Sequence, residues 1–250
     1  MIQLENVHKA FGANQVLTGF TLEVREGETM CLIGYSGTGK SVAIKHIVGL
    51  LEPDEGTVFV DGLEVPKLSR RDLYALRARI GYVFQFSALF DSLTVSQNVA
   101  MGLRQQGKLS EHEIETRVME ALDLVDLPSS GSTLPIELSG GMRKRVGIAR
   151  AIALRPKYLL YDEPTTGLDP VTAAVINELM VRMQKTLGVT GIVITHDMKS
   201  AYRVGTRIAM LYEGKVRYVG TVAEIQHVDD PVVRQFIEGR PALLNGDTVA

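Results

Sequence analysis

An α/β fold, with parallel strands covered by helices on both faces, is what this sequence predicts, and three features carry the prediction. Residues 158–161 and 191–195 are short apolar runs, as central strands buried on both faces are. A third apolar run, residues 29–33, leads into Gly34-Tyr35-Ser36-Gly37-Thr38-Gly39-Lys40-Ser41. Residues 42–48 follow it with apolar positions at 43, 44, 47 and 48, the spacing of one helix face. Strand, glycine loop and helix together aim backbone N–H groups and the positive end of a helix dipole at one anion. Glycines let that backbone turn inward where side chains would block it. Lys40 can reach the β- and γ-phosphates of a nucleoside triphosphate, and the Ser41 hydroxyl can ligate Mg²⁺. The sequence therefore predicts triphosphate binding.

The chain in order supports the same architecture. Residues 1–7 and 17–24 alternate apolar and polar side chains like half-buried strands, with a turn at 11–14. Residues 25–28 form a second turn, and 57–60 another strand ending at Asp61-Gly62. Residues 71–79 read as a charged helix and 80–85 as a strand closed by Gln85. From there to about residue 134 no strand signal remains, which marks a helical second lobe. Ser110-Glu111-His112-Glu113 is a capping box opening a helix to about Leu127. Asp169-Pro170 places a cap and a first-position proline at another helix start. Strands are expected at 207–211 and 215–219, and short helices after Thr221 and Asp230. The Pro, Gly and Asn of residues 239–250 suggest a frayed tail, or one ordered only on contact.

Bulk properties exclude several classes. The 250 residues, 45% of them hydrophobic, suffice for one large domain or a core with a small second lobe. A net charge of −2 gives no global attraction to nucleic acid or anionic lipid, and no nucleic-acid partner is expected. The single cysteine, Cys31, lies in an expected core strand and reads as a buried structural thiol. The longest uncharged run, residues 10–22, contains Gly, Asn, Gln and Thr, whereas a membrane span needs about 18 apolar residues. No basic-then-apolar leader opens the sequence, so the expected location is the cytoplasm.

Two adjacent carboxylates, Asp162 and Glu163, end the apolar strand at 158–161. Behind a phosphate loop, Asp162 suits a metal ion and Glu163, on the other face of the strand end, suits the attacking water. A helix cap is the alternative. His196 ends the next apolar strand, on the edge where parallel strands share their C-terminal ends with the loop, and can contact a γ-phosphate or the water. Asp197 reads as the cap of the helix that follows. Gln85 ends its strand at the same edge, where an amide can ligate Mg²⁺ or hold the water. Leu138-Ser139-Gly140-Gly141-Met142 opens a helix to about Leu154, with Met142, Val146, Ala149 and Ala153 on an apolar face. Its two glycines leave N–H groups bare and make a second anion site, which the one loop does not need. Arg143-Lys144-Arg145 is expected on a solvated face, since so short a run on a slightly acidic chain is weak as a nucleic-acid patch.

In order and spacing, residues 34–41, Gln85, 138–141, 159–163, 167–169 and His196 resemble the nucleotide-binding domain of ABC transporters. The resemblance covers residues 1 to about 236. It implies a RecA-like core with an antiparallel β subdomain and an inserted α-helical subdomain, here at about 86–155 within an ATPase domain of 1–238. It further implies ATP and Mg²⁺, two cassettes packed head to tail, and each ATP sandwiched between one loop and the opposite copy's Ser139, Gly140 and Gly141. Glu163 would be the catalytic base, His196 its partner, and Asp169 a coupling residue between the two sites. Phe11 falls where the family stacks an aromatic ring on adenine, with Val16 nearby; Tyr is usual there, and Phe keeps the π-face.

Met142, where Gln is commonest, and Val42, where Thr is common, are similar to the Mla/Mkl-type subfamily that works with MCE proteins in lipid transport. Residues 86–95, 138–150 and 230–241 share that likeness. It implies phospholipid transport between envelope membranes, an integral-membrane permease, an MCE-domain protein, and a place on the cytoplasmic face of the inner membrane. The tail's contact is left open between the second copy and a small regulatory subunit. Phe86, Leu89, Phe90 and Leu93 make an apolar cluster after Gln85, either a surface for the permease or packing inside the lobe. Transport of another substrate, such as an amino acid or a drug, is the main rival, and the short stretch beyond the cassette disfavours the methionine type with its added domain. A non-transport ABC ATPase and a small-molecule kinase are less favoured.

Overall fold

A computed structural model gives the structure and describes residues 1–240; of the expected tail, residues 241–250 lie outside the described residues. Two sheets organise the chain. Strands β1 (Ile2–Phe11), β2 (Asn14–Val24), β4 (Glu55–Val60) and β5 (Leu63–Glu64) form an antiparallel sheet in the order β2-β1-β4-β5. The larger sheet runs β10-β9-β3-β8-β7-β6. It comprises β3 (Thr29–Ile33), β6 (Ile80–Val83), β7 (Tyr158–Asp162), β8 (Thr190–Ile194), β9 (Arg207–Tyr212) and β10 (Lys215–Thr221). Pairing from β9 to β6 is parallel, and β10 adds an antiparallel edge.

The central strands are apolar between their ends, where Thr29, Thr190 and Asp162 stand, because both of their faces are covered. Met30, Leu32, Tyr158, Leu160, Ile192, Ile194, Ala209 and Leu211 join one core, shared with the antiparallel sheet and with α1 (Lys40–Ile47). The alternating residues Cys31, Ile33, Leu159, Tyr161, Val193, Ile208 and Met210 join the other, beneath most of the remaining helices. Those helices include α3 (Val95–Gln106), α4 (Glu111–Leu124), α5 (Gly140–Ile152) and α6 (Pro170–Leu187), while α2 (Arg70–Arg77) precedes β6. Arg77 caps the end of α1, donating from Nε to the Val48 carbonyl at 2.8 Å and from Nη2 to the Gly49 carbonyl at 2.9 Å. The Cys31 thiol is fully buried, and burial pushes its pKa up to about 12, so it behaves as a core side chain.

Between β6 and β7 the described chain is helical, with no strand. Several boundaries differ from the sequence expectation; β8, for one, stops at Ile194, so His196 lies beyond the strand rather than ending it. β6 stops at Val83, so Gln85 lies in the turn beyond the strand rather than closing it. α4 ends at Leu124, because Asp126 takes a left-handed φ of 57° and the chain breaks there. α5 ends at Ile152, and Arg155 is again left-handed at φ 50°. The capping box Thr94–Gln97 that opens α3 was not singled out from sequence, though its Thr-x-x-Gln pattern carries the signal. Asn98, fully buried, holds the preceding loop by accepting from the Phe90 N–H at 2.8 Å and donating to the Phe90 and Leu93 carbonyls. The short helices α7 (Met198–Val204), α8 (Val222–Ile225) and α9 (Pro231–Ile237) complete the fold, each capped by the expected Asp or Thr.

At the N-terminal ends of the parallel strands, Asp61 gathers four donors from three segments. It accepts from the terminal ammonium at 3.0 Å, Lys157 at 3.1 Å, the Tyr158 hydroxyl and Arg79. Burial alone would raise its pKa; the hydrogen bonds from Tyr158, the terminus and Lys157 outweigh this and hold the carboxyl well below the usual carboxylate range. A depressed folded pKa contributes stability that is complete above the ordinary carboxylate range and is lost as pH falls toward the lowered value. Asp61→Asn should lower Tm by roughly 3–6 °C at pH 7. In thermal melts the gap to wild type should hold at higher pH and narrow below about pH 4.

Candidate active site

The loop after β3 is shaped by glycines in the left-handed region, with φ of 148° at Gly34, 78° at Gly37 and 102° at Gly39. Gly34 also has no room for a side chain, since a Cβ there would stand 2.5 Å from the Leu211 carbonyl oxygen. Thr38 Oγ1 donates to the Tyr35 carbonyl at 2.9 Å and closes the turn. Gly39 is the N-cap of α1 and offers no side-chain acceptor, so the first-turn N–H groups point at the loop without a side-chain cap. Buried Lys40 arches across the loop, donating from Nζ to the carbonyls of Gly34 and Tyr35 at 2.8 Å each. Burial lowers its pKa, and the Glu163 and Asp162 carboxylates offset part of that. Ser36 and Gly37 are exposed, and Ser41 and Val42 are half-buried at the start of α1.

Ser41 Oγ donates to Asp162 Oδ1 at 2.7 Å, across the edge of the sheet. The buried Asp162 also accepts from the Tyr82 hydroxyl at 3.1 Å on Oδ2. Burial, reinforced by Asp162, pushes the Tyr82 phenol up and keeps it a donor. Mg²⁺ takes one or two protein oxygens alongside substrate phosphates, and a hydroxyl beside a carboxylate is a hard oxygen pair of that kind. These residues fit the ion.

Glu163 follows the end of β7 with a left-handed φ of 48°, a conformation that costs a non-glycine residue roughly 1–3 kcal/mol. Its N–H donates to the Ile194 carbonyl at 3.0 Å, which ties it to the end of β8. Glu163 Oε2 accepts from Thr166 Oγ1 at 2.7 Å and lies 3.3 Å from His196 Nδ1. Gln85, Glu163, Thr166 and His196 line one cleft of about 540 Å³ with Tyr35 and Ser36 of the loop. Gln235, Phe236, Gly239 and Arg240 line it from the C-terminal side. Phe236 meets Tyr35 edge-to-face with ring centroids 5.0 Å apart.

Ser139 caps α5, its Oγ accepting from the Met142 N–H at 3.2 Å. Ser139 and Gly140 are exposed; Gly141 is buried because α6 comes close, and a Cβ there would stand 2.5 Å from Thr172 Cγ2. These three residues do not line the cleft of Glu163. Asp169 caps α6 with both carboxylate oxygens, accepting from the N–H groups of Val171 and Thr172 and from the Thr172 hydroxyl. Phe11 is half exposed with Lys9 Nζ 5.7 Å from its ring centre, and Val16 packs against the Gly39 end of the loop.

One expectation is overturned. Lys144 is not on a solvated face: it is buried, and its Nζ donates to the Gln85 carbonyl and, at 3.4 Å, to the Glu163 carbonyl. Arg143 stays exposed, and Arg145 is half-buried with its Nη1 on the Asp126 carbonyl at 3.1 Å. The apolar cluster divides: Phe86 and Phe90 are 83% and 51% exposed, while Leu89 and Leu93 are half-buried. The sequence reading also missed Tyr82, Thr166 and Phe236. For Tyr82 the signal lay in the strand register, which sets it beside Leu160, two residues before Asp162.

Gly34→Ala tests the loop directly. The added methyl group must displace either the loop or the Leu211 backbone, so the variant should lose about 1–3 kcal/mol of stability. It should bind a fluorescent ATP analogue at least tenfold more weakly at a temperature where it remains folded.

The family profile described as ABC transporter matches residues 17–166. Over 239 residues the chain is 39% identical to the "Probable ribonucleotide transport ATP-binding protein mkl" of Mycobacterium leprae, covering 96% of this chain and 69% of that protein. It is 40% identical over 256 residues to "Protein TRIGALACTOSYLDIACYLGLYCEROL 3, chloroplastic" of Arabidopsis thaliana, covering 96% and 74%. It is likewise 40% identical over 242 residues to the methionine import ATP-binding protein MetN of Xylella fastidiosa, covering 95% and 72%. Among solved structures, the dimeric post-hydrolysis ATP-binding cassette MJ0796 bound to ADP and Pi is similar with a TM-score of 0.81 at 35% identity. That likeness covers 89% of this chain and 99% of the other. On these matches over most of its length, the chain belongs to the ABC transporter family, with the fold of its ATP-hydrolysing cassette.

Proposed function

We propose that the chain is the ATPase subunit of an envelope lipid transporter of the Mla/Mkl type. Two copies close on ATP and drive an integral-membrane permease that works with an MCE-domain protein. The observation carrying the ATP-dependent pairing is the separation of two anion-binding elements. The loop 34–41 shares a cleft with Gln85, Glu163 and His196, whereas Ser139-Gly140-Gly141 opens α5 outside that cleft. Ser139 caps only the Met142 N–H of α5, so in this reading the N–H groups of Gly140 and Gly141 and the exposed Ser139 are available to phosphate of nucleotide held by a second copy.

In this reading the loop N–H groups and Lys40 hold the phosphates, and Phe11 with Val16 receives the adenine. Ser41 and Asp162 would hold Mg²⁺, which neutralises charge on the phosphate oxygens when bound. Gln85 senses the γ-phosphate, and Glu163 takes the proton of the water that attacks it. The new P–O bond forms as the bond to the β–γ bridging oxygen breaks, and ADP leaves with that electron pair. Thr166 and His196 both engage Oε2 and so fix the carboxylate, leaving Oε1 for the water. Asp169 couples the two sites through the start of α6.

The lipid assignment is supported by the Mla/Mkl-like residues and by a plant relative whose name contains a glycolipid, while the name of the mycobacterial relative gives ribonucleotide transport. Methionine transport is the second reading, favoured by the MetN relative at equal identity. Among the described residues no helix is long and apolar enough to cross a membrane, so a permease would hold the chain at the cytoplasmic face. The exposed rings of Phe86 and Phe90, just past Gln85, suit that contact.

Glu163→Gln should bind ATP normally while kcat falls about 10²- to 10⁴-fold, and it should trap a dimer on size exclusion with ATP. Wild-type turnover would remove the assigned base. Ser139→Arg should abolish hydrolysis with ATP affinity largely retained; equal loss of both defeats the in-trans site. The Glu163→Gln protein, tagged and captured with ATP from detergent-solubilised membranes, should bring down a permease, an MCE-domain protein and phospholipid. A permease with an amino-acid receptor instead would keep the ATPase and discard the lipid.

A further inference from the structure

Buried cations need a reason, and on α5 the buried Lys144 and the half-buried Arg150 both reach past their own helix toward the turn after β6. Lys144 sends its ammonium to the main-chain carbonyls of Gln85 and Glu163. Two turns on, half-buried Arg150 donates from Nη2 to the Ser87 carbonyl and from Nη1 to the Ala88 carbonyl, each at 2.6 Å. Ser87 and Ala88 are consecutive non-glycine residues in the left-handed region, with φ of 60° and 45°. Left-handed conformations at such residues persist only where surrounding contacts impose them. Glu163 is in the same condition, held by Ile194 on its N–H and by Lys144 and the Thr166 N–H on its carbonyl. The strained backbone on both sides of the cleft is therefore fastened to one helix, and Ser139 caps that helix.

We propose that Lys144 is a positioning residue, tying the backbones of Gln85 and Glu163 to α5 so that displacement at Ser139 is transmitted to the carboxylate in the same chain. This rests on the reading of Glu163 as base and of Ser139 as contacting nucleotide held by the second copy. In the closed pair, Ser139 of one copy touches the nucleotide of the other, and Lys144 carries that contact to the first copy's own cleft. Binding of phosphate to the loop needs neither bond, because the two carbonyls that Lys144 holds, of Gln85 and Glu163, lie outside residues 34–41. The link thus acts on turnover and on cooperation between sites, not on ATP affinity.

The test uses the full chain with Lys144→Met, which removes the ammonium at similar volume, and Lys144→Arg, which keeps a cationic donor. Fluorescent-ATP affinity, Tm, kcat, KM and the Hill coefficient for ATP are measured for each. In Lys144→Met, affinity should stay within about twofold while kcat falls about 10- to 100-fold, the scale for misplacing a reacting group by an ångström. The Hill coefficient should fall toward 1, and Lys144→Arg should recover much of kcat. Wild-type kcat and Hill coefficient in folded Lys144→Met overturn the proposal. So does a loss of kcat matched by equal loss of affinity, which marks a merely structural lysine. Should Lys144→Met not fold, Lys144→Gln replaces it under the same criteria. Glu163→Gln is assayed in parallel: normal turnover there removes the site reading itself, whereas slow Glu163→Gln beside normal Lys144→Met removes only the link.

Discussion

The register of four parallel strands is the constraint on which the rest depends. Leu32 of β3 pairs with Ile194 of β8, and Ile194 pairs with Asp162 of β7. On the far side Tyr161 pairs with Val83 of β6. Those pairings end four strands at one level, so the segments leaving them converge: the glycine loop, the carboxylates 162 and 163, His196, and Gln85. Ser41 reaches Asp162 at 2.7 Å only because β8 separates their strands by a single intervening strand. A slip of one residue in a strand would invert its faces and send both core and site residues the wrong way.

Burial on both faces makes that register rigid, and it also sets the electrostatics of the site. Lys40 and Lys144 are both cations withdrawn from water, and in each burial lowers the pKa while Glu163 works against the shift. Each ammonium satisfies its donors on main-chain carbonyls rather than on a paired carboxylate. Carbonyl ligation fixes backbone, where ion pairing would fix side chains. The phosphate loop and the two rims of the cleft thus owe their shape to lysines bonded to their own backbone.

Strain is concentrated at the same place. Glu163, Ser87 and Ala88 are non-glycine residues with positive φ, and all three flank the cleft or the turn beyond Gln85. Their conformations are imposed by bonds from α5 and β8, which come from distant parts of the sequence, and at Glu163 also by Thr166 in the turn that follows. A helix that shifts under load can therefore alter the carboxylate's backbone without touching the phosphate loop. The aromatic contact of Phe236 on Tyr35 adds a further element of the C-terminal region at the loop itself.

By itself the sequence determined the α/β class, the phosphate loop, most strands and the capped helix starts, because these are local. Period-2 and helical spacing, capping residues and the Gly-x-x-x-x-Gly-Lys-Ser pattern need only neighbours in the chain to be read. It also brought forward Asp162, Glu163, His196 and Gln85, since strand ends can be located from apolar runs. Tertiary structure alone decided which partners those residues take. Tyr82 on Asp162 and Phe236 on Tyr35 are set by strand pairing and helix docking between distant parts of the sequence, whereas Thr166 meets Glu163 within a single turn. The burial of Lys144 is the sharpest case. Three basic residues in a row look solvated on a helix considered alone; once α5 packs beneath the turn at Gln85, the middle one faces two carbonyls, Arg145 is half-buried and only Arg143 stays exposed. Which face of a helix meets the core depends on what packs against it, and that information is not local to the helix.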